Sequence, residues 1–285
     1  MKPAAFAYHA PKTIDEAVAL LAEVAAHDGR VLAGGQSLVP TMAFRLARPA
    51  HLVDINGVAA LERLAVIDGK LVIGACVRHA AFHRPVCEGP LGKLLAEVVR
   101  HIAHYPIRNR GTFCGSLAHA DPASEWALAL VALDGEVVAR STRGERVIAA
   151  HAFFRGIMTT ALKEDELLLE ARLPLMGADV RCGFYEFNRR CGDFAMAAAL
   201  AAYRVEEGKI VAPRLALGGV ETSPRRIAEA ERALAGAAPG EAAFRAAATA
   251  AAAAVDPMED FTISADFRRD LVLAVTRRAL ERAAA

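Results

Sequence analysis

Two segments of the chain combine glycine with small hydroxyl residues beside apolar stretches. The first, residues 33–38, reads Ala-Gly-Gly-Gln-Ser-Leu and follows a short apolar run that predicts a strand. Glycine lets the backbone approach a ligand closely, and a helix that begins after such a turn adds positive potential. Several N–H groups then converge in one concave loop that suits a phosphate. A Gly-Gly pair is also a common plain turn, so the residues alone leave both interpretations open.

The second segment, residues 107–125, carries Thr112, Gly115 and Ser116 in a predicted loop and Glu125 in the first turn of a predicted helix. A carboxylate at that position can accept hydrogen bonds from ribose hydroxyls, or it can simply complement the helix dipole. Neither segment reads GxGxxG, and no GxxxxGK[ST] occurs in the sequence. The familiar nucleotide-binding folds with those motifs are therefore disfavoured.

Composition excludes several other classes of protein. The 285 residues carry 34 Lys and Arg against 33 Asp and Glu, so no basic field is available to bind nucleic acid. The apolar runs are shorter than the ~18 residues of a membrane span, and the first residues lack the apolar core of a signal peptide. Five cysteines without a CxxC pair argue against a disulfide scaffold and a Cys-ligated metal site. We expect a cytoplasmic globular protein.

Histidine and serine give no convincing catalytic centre. His79 and His83 are four residues apart, and His101 and His104 three, but neither pair has a third ligand at a suitable spacing. Surface or capping roles explain these histidines better, so no metal site is predicted. Three serines lack the context of a nucleophile elbow, namely Ser37, Ser116 and Ser124.

Helical and strand periodicities alternate along the chain and predict a mixed α/β or α+β fold. In the first part Thr13 and Glu16 form a capping box for a helix that Gly29 ends. Further elements are predicted as strands 30–33 and 52–55, a helix from Pro40 to 47, hairpins 61–67/71–75 and 136–141/146–149, helices 91–102 and 123–133, and a strand 167–173. After a boundary near residue 176, the prediction is a meander of strands 183–190, 196–206 and 210–218, followed by helices 224–234, 241–255 and 265–284.

The sequence resembles one known family, the FAD-binding medium subunits of molybdenum hydroxylases of the carbon monoxide dehydrogenase and xanthine dehydrogenase type. The resemblance rests on residues 33–38, on Arg-Asn-Arg-Gly-Thr at 108–112 and on Ala-His-Ala-Asp-Pro at 118–122. It extends to Arg-Arg-Cys-Gly-Asp-Phe-Ala at 189–195 and to Asp-Phe-Arg-Arg at 266–269. The order and spacing of these pieces make the resemblance specific.

The resemblance implies an α+β chain that begins with a two-subdomain FAD-binding fold of the vanillyl-alcohol-oxidase (PCMH) type. This fold would cover residues 1–175, with subdomains at about 1–56 and 57–175. A smaller C-terminal domain of antiparallel sheet and helices would cover 176–285.

The resemblance also implies a set of FAD contacts and no catalytic side chain. The loop 33–38 would cradle the pyrophosphate, while Ile102 and Phe194 would lie by the isoalloxazine and Leu168 near the adenine or the flavin. The full set expected to bind FAD is Leu32, Ala33, Gly34, Gly35, Gln36, Ser37, Leu38, Ile102, Thr112, Cys114, Gly115, Ser116, Ala118, Asp121, Glu125, Leu168 and Phe194. Nearby, Arg190 and Asp193 either tune the flavin, bridge the domains or form a plain ion pair.

Three positions depart from the family pattern. Glu125 stands where the family usually has Asp, and Phe194 where Tyr is also common. Cys114 replaces a glycine in the usual Thr-Ile-Gly-Gly, which restricts the backbone and adds a side chain. Its thiol either faces the protein interior or lies close to the phosphates or the ribityl chain.

By resemblance, the chain is an FAD-carrying electron-transfer subunit of an oxidoreductase. A large partner would hold the molybdenum cofactor and a small partner [2Fe–2S] clusters, in a dimer of heterotrimers. Electrons would leave the flavin for NAD, a quinone, a cytochrome or oxygen. Two alternatives stay open, a stand-alone FAD-dependent oxidoreductase of the same fold and an assembly module that has lost FAD.

Overall fold

The computed structural model describes residues 2–285 and begins with a three-stranded parallel sheet. Its strands, in the spatial order β1-β3-β2, are β1 (Ala7–His9), β2 (Gly29–Leu32) and β3 (His51–Asp54). Parallel neighbours need crossover connections, which α1 (Ile14–Val24) and α2 (Leu38–Ala43) supply. The turn between β2 and α2 is the Gly-Gly loop.

The predicted capping box starts α1. Thr13 Oγ1 accepts a hydrogen bond from the N–H of Glu16 at 3.1 Å, and the Glu16 carboxylate accepts one from the N–H of Thr13 at 3.3 Å. The helix ends before the predicted stop at Gly29, because Asp28 already adopts a left-handed conformation with φ of 55°. Gly29 begins β2 instead.

An antiparallel five-stranded sheet follows, in the order β4-β5-β10-β6-β7. Its strands are β4 (Leu64–Ile67), β5 (Lys70–Gly74), β6 (Glu136–Ser141), β7 (Gly144–Ala149) and β10 (Leu167–Pro174). The segments between them hold α3 (Gly89–Val98), α4 (Tyr105–Arg108), α5 (Phe113–His119), α6 (Glu125–Ala132), α7 (Ala150–Phe153) and the small ribbon of β8 (Phe154–Gly156) and β9 (Thr159–Thr160).

The C-terminal part is the predicted antiparallel meander covered by helices. The sheet consists of β11 (Arg181–Phe187), β12 (Ala197–Glu206), β13 (Lys209–Gly218) and β14 (Arg225–Arg226), and the helices are α8 (Ala228–Leu234), α9 (Glu241–Ala254) and α10 (Ala265–Ala284). A Cβ at Gly183 would overlap the carbonyl of Ala279, so α10 lies directly on β11. The alanine-rich helix α9 packs mainly against α8 and α10 rather than on the sheet.

Helix α6 lies between the five-stranded sheet and the C-terminal sheet. All of its eight residues are buried, and it contacts β12, β13 and β14. A helix that is covered on every side can be apolar all round, which explains its Trp-Ala-Leu-Ala-Leu-Val-Ala sequence. Trp126 packs there against Phe82 and Phe113.

Several predicted elements were displaced or missed. Residues 113–119 were predicted as a loop but form α5, because Thr112 caps the N–H of Gly115 at 3.0 Å. The helix predicted from Pro40 to 47 begins at Leu38 and ends at Ala43, since Arg45 has a φ of 56°. The helices predicted at 91–102 and 224–234 are shorter, and residues 225–226 pair with β13 instead. The described helices include none that is long and apolar enough to cross a bilayer.

Candidate functional site

A cavity of about 880 Å³ lies between the Gly-Gly loop, the segment from 111 to 125 and the start of the C-terminal part. This volume is within the range of small-molecule and cofactor sites. Fifteen of the seventeen residues expected from the sequence line it: Leu32, Ala33, Gly34, Gly35, Gln36, Ser37, Leu38, Ile102, Thr112, Gly115, Ser116, Ala118, Asp121, Glu125 and Phe194. Cys114 and Leu168 do not.

The Gly-Gly loop touches the segment before α5 backbone to backbone. A Cβ at Gly34 would overlap the carbonyl oxygen of Arg110 and lie 2.6 Å from the Cα of Gly111. Gly35 has a φ of 72°, in the left-handed region that glycine adopts without strain. Both glycines are therefore required, one for space and one for conformation.

The side chains of Asn56 and Arg78 connect these two loops through hydrogen bonds. The amide of Asn56 donates to the carbonyl of Ala33 at 2.7 Å. Arg78 donates through Nη2 to Asn56 Oδ1 at 2.6 Å and through Nη1 to the carbonyl of Arg110. One asparagine and one arginine thus connect the backbone of both loops and restrict how far they can separate.

Hydroxyl groups organise the wall that α5 and α6 provide. Thr112 caps α5, and Ser124 caps α6 by accepting from the N–H of Ala127 at 3.3 Å. The hydroxyls of Ser116 and Ser124 lie 2.8 Å apart. The three hydroxyls hold the first turns of both helices beside the cavity.

Cys114 faces the protein interior, as one of the two sequence-based interpretations had it. Its side chain is 1% exposed, its Sγ lies 3.4 Å from the carbonyl oxygen of Ile73, and burial raises the pKa of the thiol far above its usual range. Its φ is not in the left-handed region that favours glycine. Cys114 therefore adds no side chain to the cavity.

Glu125 lines the cavity as a carboxyl group that binds its proton tightly. Burial, together with the nearby charge of Glu186, raises its pKa to about 8. Glu186 lies behind it, where its Oε1 accepts from Asn188 Nδ2 at 2.8 Å and lies 3.4 Å from His101 Nδ1. From the sequence, Glu125 was expected as a carboxylate that either accepts hydrogen bonds from ribose hydroxyls or complements the helix dipole. At neutral pH the protonated group can donate one as well.

The C-terminal part closes one end of the cavity. Gly192 has a φ of 87°, and a Cβ there would lie 2.7 Å from the ring of His104. Phe194 is 71% exposed and contributes to the wall. Arg190 pairs with Asp193 at 3.1 Å on the same wall, which fits the plain ion-pair interpretation of these two residues.

Leu168 does not line the cavity. It lies on β10, the central strand of the five-stranded sheet, and is 6% exposed within the hydrophobic core. Neighbouring elements cover both faces of that strand, so the side chain does not reach the cavity wall.

The structure adds wall residues beyond the set expected to bind FAD. They are Arg30, Val31, Thr41, His79, Ala103, His104, Ile107, Gly111, His119, Ser124, Met158, Arg190, Gly192 and Asp193. Most belong to turns that approach the cavity only through tertiary packing. His79 was expected to be a surface or capping histidine rather than a metal ligand, but the structure buries it at 5% exposure. Residues 2–285 contain no group of three His, Cys, Asp or Glu side chains that could hold a metal ion.

Two family models match the chain along nearly its whole length. The FAD binding domain in molybdopterin dehydrogenase matches residues 4–176, and the CO dehydrogenase flavoprotein C-terminal domain matches residues 183–283. The beta subunit of caffeine dehydrogenase from Pseudomonas sp. strain CBB1 is 38% identical over 285 residues, which cover 100% of this chain and 96% of the relative. The medium chain of carbon monoxide dehydrogenase from Hydrogenophaga pseudoflava is 35% identical, with 99% and 98% covered.

A solved structure has the same fold. A chain of carbon monoxide dehydrogenase from Hydrogenophaga pseudoflava, in a form that lacks the Mo-pyranopterin moiety of the molybdenum cofactor, superimposes with a TM-score of 0.95 at 37% identity. The match covers 99% of this chain and 98% of that chain.

Proposed function

We propose that this chain, which belongs to the family of FAD-binding medium subunits of molybdenum hydroxylases, passes electrons from iron–sulfur clusters on a partner subunit to a final acceptor. It is an FAD-binding subunit of an oxidoreductase. The single observation that carries the proposal is the cavity between the Gly-Gly loop and α5, within a chain that matches both family models.

The residues of the cavity fit FAD. The close backbone contact at Gly34 leaves no room for a side chain and lets the loop 33–38 approach a ligand with its backbone. Such a loop before a helix suits a diphosphate, as do the first turns of α5 and α6. Thr112, Gly115 and Ser116 would make a second set of contacts to the phosphates and the ribityl chain.

At the other end, Ile102 and Phe194 would lie beside the isoalloxazine ring. FAD, when bound, supplies the chemistry of accepting and releasing electrons. The protein's part is to orient the ring, to exclude water around it with the segment from Arg190 to Phe194, and to offer a hydrogen bond through Glu125. No side chain of this subunit needs to act as an acid or a base on the organic substrate.

The wider assembly belongs to the same proposal. A large subunit would carry the molybdenum cofactor and a small one [2Fe–2S] clusters, in a cytoplasmic dimer of heterotrimers. The substrate pocket would then lie in the large subunit. NAD, a quinone, a cytochrome or oxygen would accept the electrons.

Recovery of the tagged full-length chain from its own cells under mild conditions tests this proposal. We expect one FAD per copy of this chain, with molybdenum and iron–sulfur clusters in two further polypeptides. The purified chain alone should keep its flavin oxidised when a substrate of the complex is added. A chain that is recovered alone and whose flavin is reduced directly by a small substrate would support the stand-alone oxidoreductase instead.

A further inference from the structure

His79 is buried in the cavity wall with one ring nitrogen engaged. It begins the short turn 79–83 after β5, is 5% exposed and donates its backbone N–H to the carbonyl of Gly111 at 3.0 Å. Its Nδ1 lies 2.9 Å from the indole Nε1 of Trp126. Neither the sequence motifs nor the proposed function assigns a role to the His79 side chain.

Trp126 determines which nitrogen of His79 carries the proton. An indole N–H can only donate, so Nδ1 must accept, and the proton of the neutral ring is on Nε2. Trp126 is fully buried, with ring centroids 5.0 Å from Phe82 and 4.8 Å from Phe113. Because this packing leaves the indole no other position, the Nε2–H of His79 is a fixed donor.

The Nε2 side of the ring lies where the two loops of the cavity meet. A Cβ at Gly111 would lie 2.6 Å from Nε2 of His79 and 2.7 Å from its Cδ2. The Cα of Gly111 is in turn 2.6 Å from the position of a Cβ at Gly34. The donor thus lies beside Gly111 in the cavity wall, and Gly111 in turn contacts the loop that we assign to the pyrophosphate.

We propose that His79 binds FAD as a neutral donor, giving its Nε2–H to a phosphate oxygen, and that Trp126 fixes this orientation. The inference rests on the proposed placement of FAD in the cavity. A hydrogen bond to a charged oxygen is stronger than one between neutral groups, so a single fixed donor affects affinity substantially.

The electrostatic surroundings keep His79 uncharged. Burial, and then the positive charges of Arg108 and Arg78, lower its pKa to about 4. The other titratable groups on the same wall are Glu125, Asp121, His104, His119, Arg30, Arg190 and Asp193. A neutral donor contributes the same affinity at pH 6 and at pH 8, whereas a cationic histidine would contribute less as the pH rises.

Two substitutions of His79 test the Nε2–H donor separately from the Nδ1 acceptor that binds Trp126. In His79→Asn the amide oxygen can replace Nδ1 as the acceptor for Trp126, but the side chain ends short of Nε2. In His79→Gln an amide N–H reaches about the position of Nε2. His83→Asn is the matched control, because His83 lies in the same turn and is not part of the cavity wall.

The full chain, stripped of flavin, is titrated with FAD, with ADP and with riboflavin. The emission of Trp126, the single tryptophan, and the flavin fluorescence report binding. We expect His79→Asn to weaken FAD and ADP roughly 10- to 100-fold and to leave riboflavin unchanged. His79→Gln should recover most of the affinity, and His83→Asn should match the wild type. The ratio of the FAD dissociation constants of His79→Asn and wild type should stay constant from pH 5.5 to 8.

Wild-type affinity for FAD in His79→Asn would overturn the inference, as would a ratio that falls with rising pH or an equal loss for riboflavin. Should the variants not fold, ¹⁵N-histidine spectra of the wild-type chain give an independent test. The Nε2–H signal of His79 should shift with FAD and with ADP but not with riboflavin, and an unchanged signal with FAD would contradict the inference. If the wild-type chain binds no FAD, or if Gly34→Ala changes neither the FAD affinity nor the stability of the chain, the proposed placement of FAD is wrong, whatever His79 does.

Discussion

Replacing Gly34 by alanine should force apart the two loops that meet in the cavity. The added Cβ would overlap the carbonyl oxygen of Arg110 and lie 2.6 Å from the Cα of Gly111, about 0.8 Å short of the 3.4 Å at which ordinary contact begins. Both obstacles are backbone atoms, so no side chain can rotate away. The loops cannot separate freely either, because Asn56 and Arg78 tie their carbonyl groups together.

Inserting a methyl group where the packing is already tight typically costs about 1–3 kcal/mol. If the free variant relieves the clash by separating the loops and must close them again to bind FAD, this cost lowers the affinity by roughly 5- to 150-fold. If the loops stay in contact in the free variant, the cost lowers the free energy of unfolding instead. Titration with FAD and urea unfolding of the same variant therefore measure the two parts of one cost.

Gly240→Ala is the matched control, since a Cβ there meets nothing within 4 Å and the backbone is extended, with φ of 162°. It should leave FAD affinity unchanged. A Gly34→Ala variant with both wild-type FAD affinity and wild-type stability would refute the close contact of the loops and the reasoning built on it.

Three further predictions concern substitutions at Glu125, Cys114 and Gly192. Burial raises the pKa of Glu125 from about 4.5 to about 8, so between these values the folded protein holds a proton that the unfolded chain has released. The free energy of unfolding should therefore fall from pH 5 to pH 8 by at most about 1.4 kcal/mol per pH unit. Glu125→Gln should flatten this decline in urea unfolding. An unchanged slope would mean that Glu125 is ionised. Cys114→Gly should lower the free energy of unfolding by about 1–2 kcal/mol, because a buried side chain is lost and the unfolded backbone gains freedom. It should leave FAD affinity unchanged. Tighter FAD binding would show that the thiol reaches the cofactor. Gly192→Ala places a Cβ against His104 at a φ of 87°. It should loosen the end of the cavity formed by the segment from Arg190 to Phe194 and therefore speed FAD dissociation in stopped-flow fluorescence. An unaltered rate would show that this segment does not retain the cofactor.

Local signals made much of the fold predictable. The capping box of Thr13 and Glu16 begins α1 as expected, and Ser264 caps α10 by accepting from the N–H of Phe267 at 3.2 Å. Both are interactions between residues three positions apart, so they can be recognised in the sequence. The Gly-Gly loop was predictable because the residues that form it are adjacent in the sequence.

Features that depend on distant segments were not predictable. Helix α5 has a glycine in its first turn and only seven residues, so its periodicity is weak, and Thr112 stabilises it only in the folded context. Leu168 was assigned to the site by resemblance, but its strand is covered on both faces. His79 has a role only because the fold brings Trp126 and Gly111 to it from 47 and 32 positions away.

The position of FAD in a crystal structure of the full chain saturated with the cofactor tests the central claim most directly. We predict the pyrophosphate between the loop 33–38 and the first turn of α5, with the isoalloxazine towards Ile102 and Phe194. FAD bound elsewhere on the chain, or an FAD-saturated chain whose cavity remains empty, would contradict the claim.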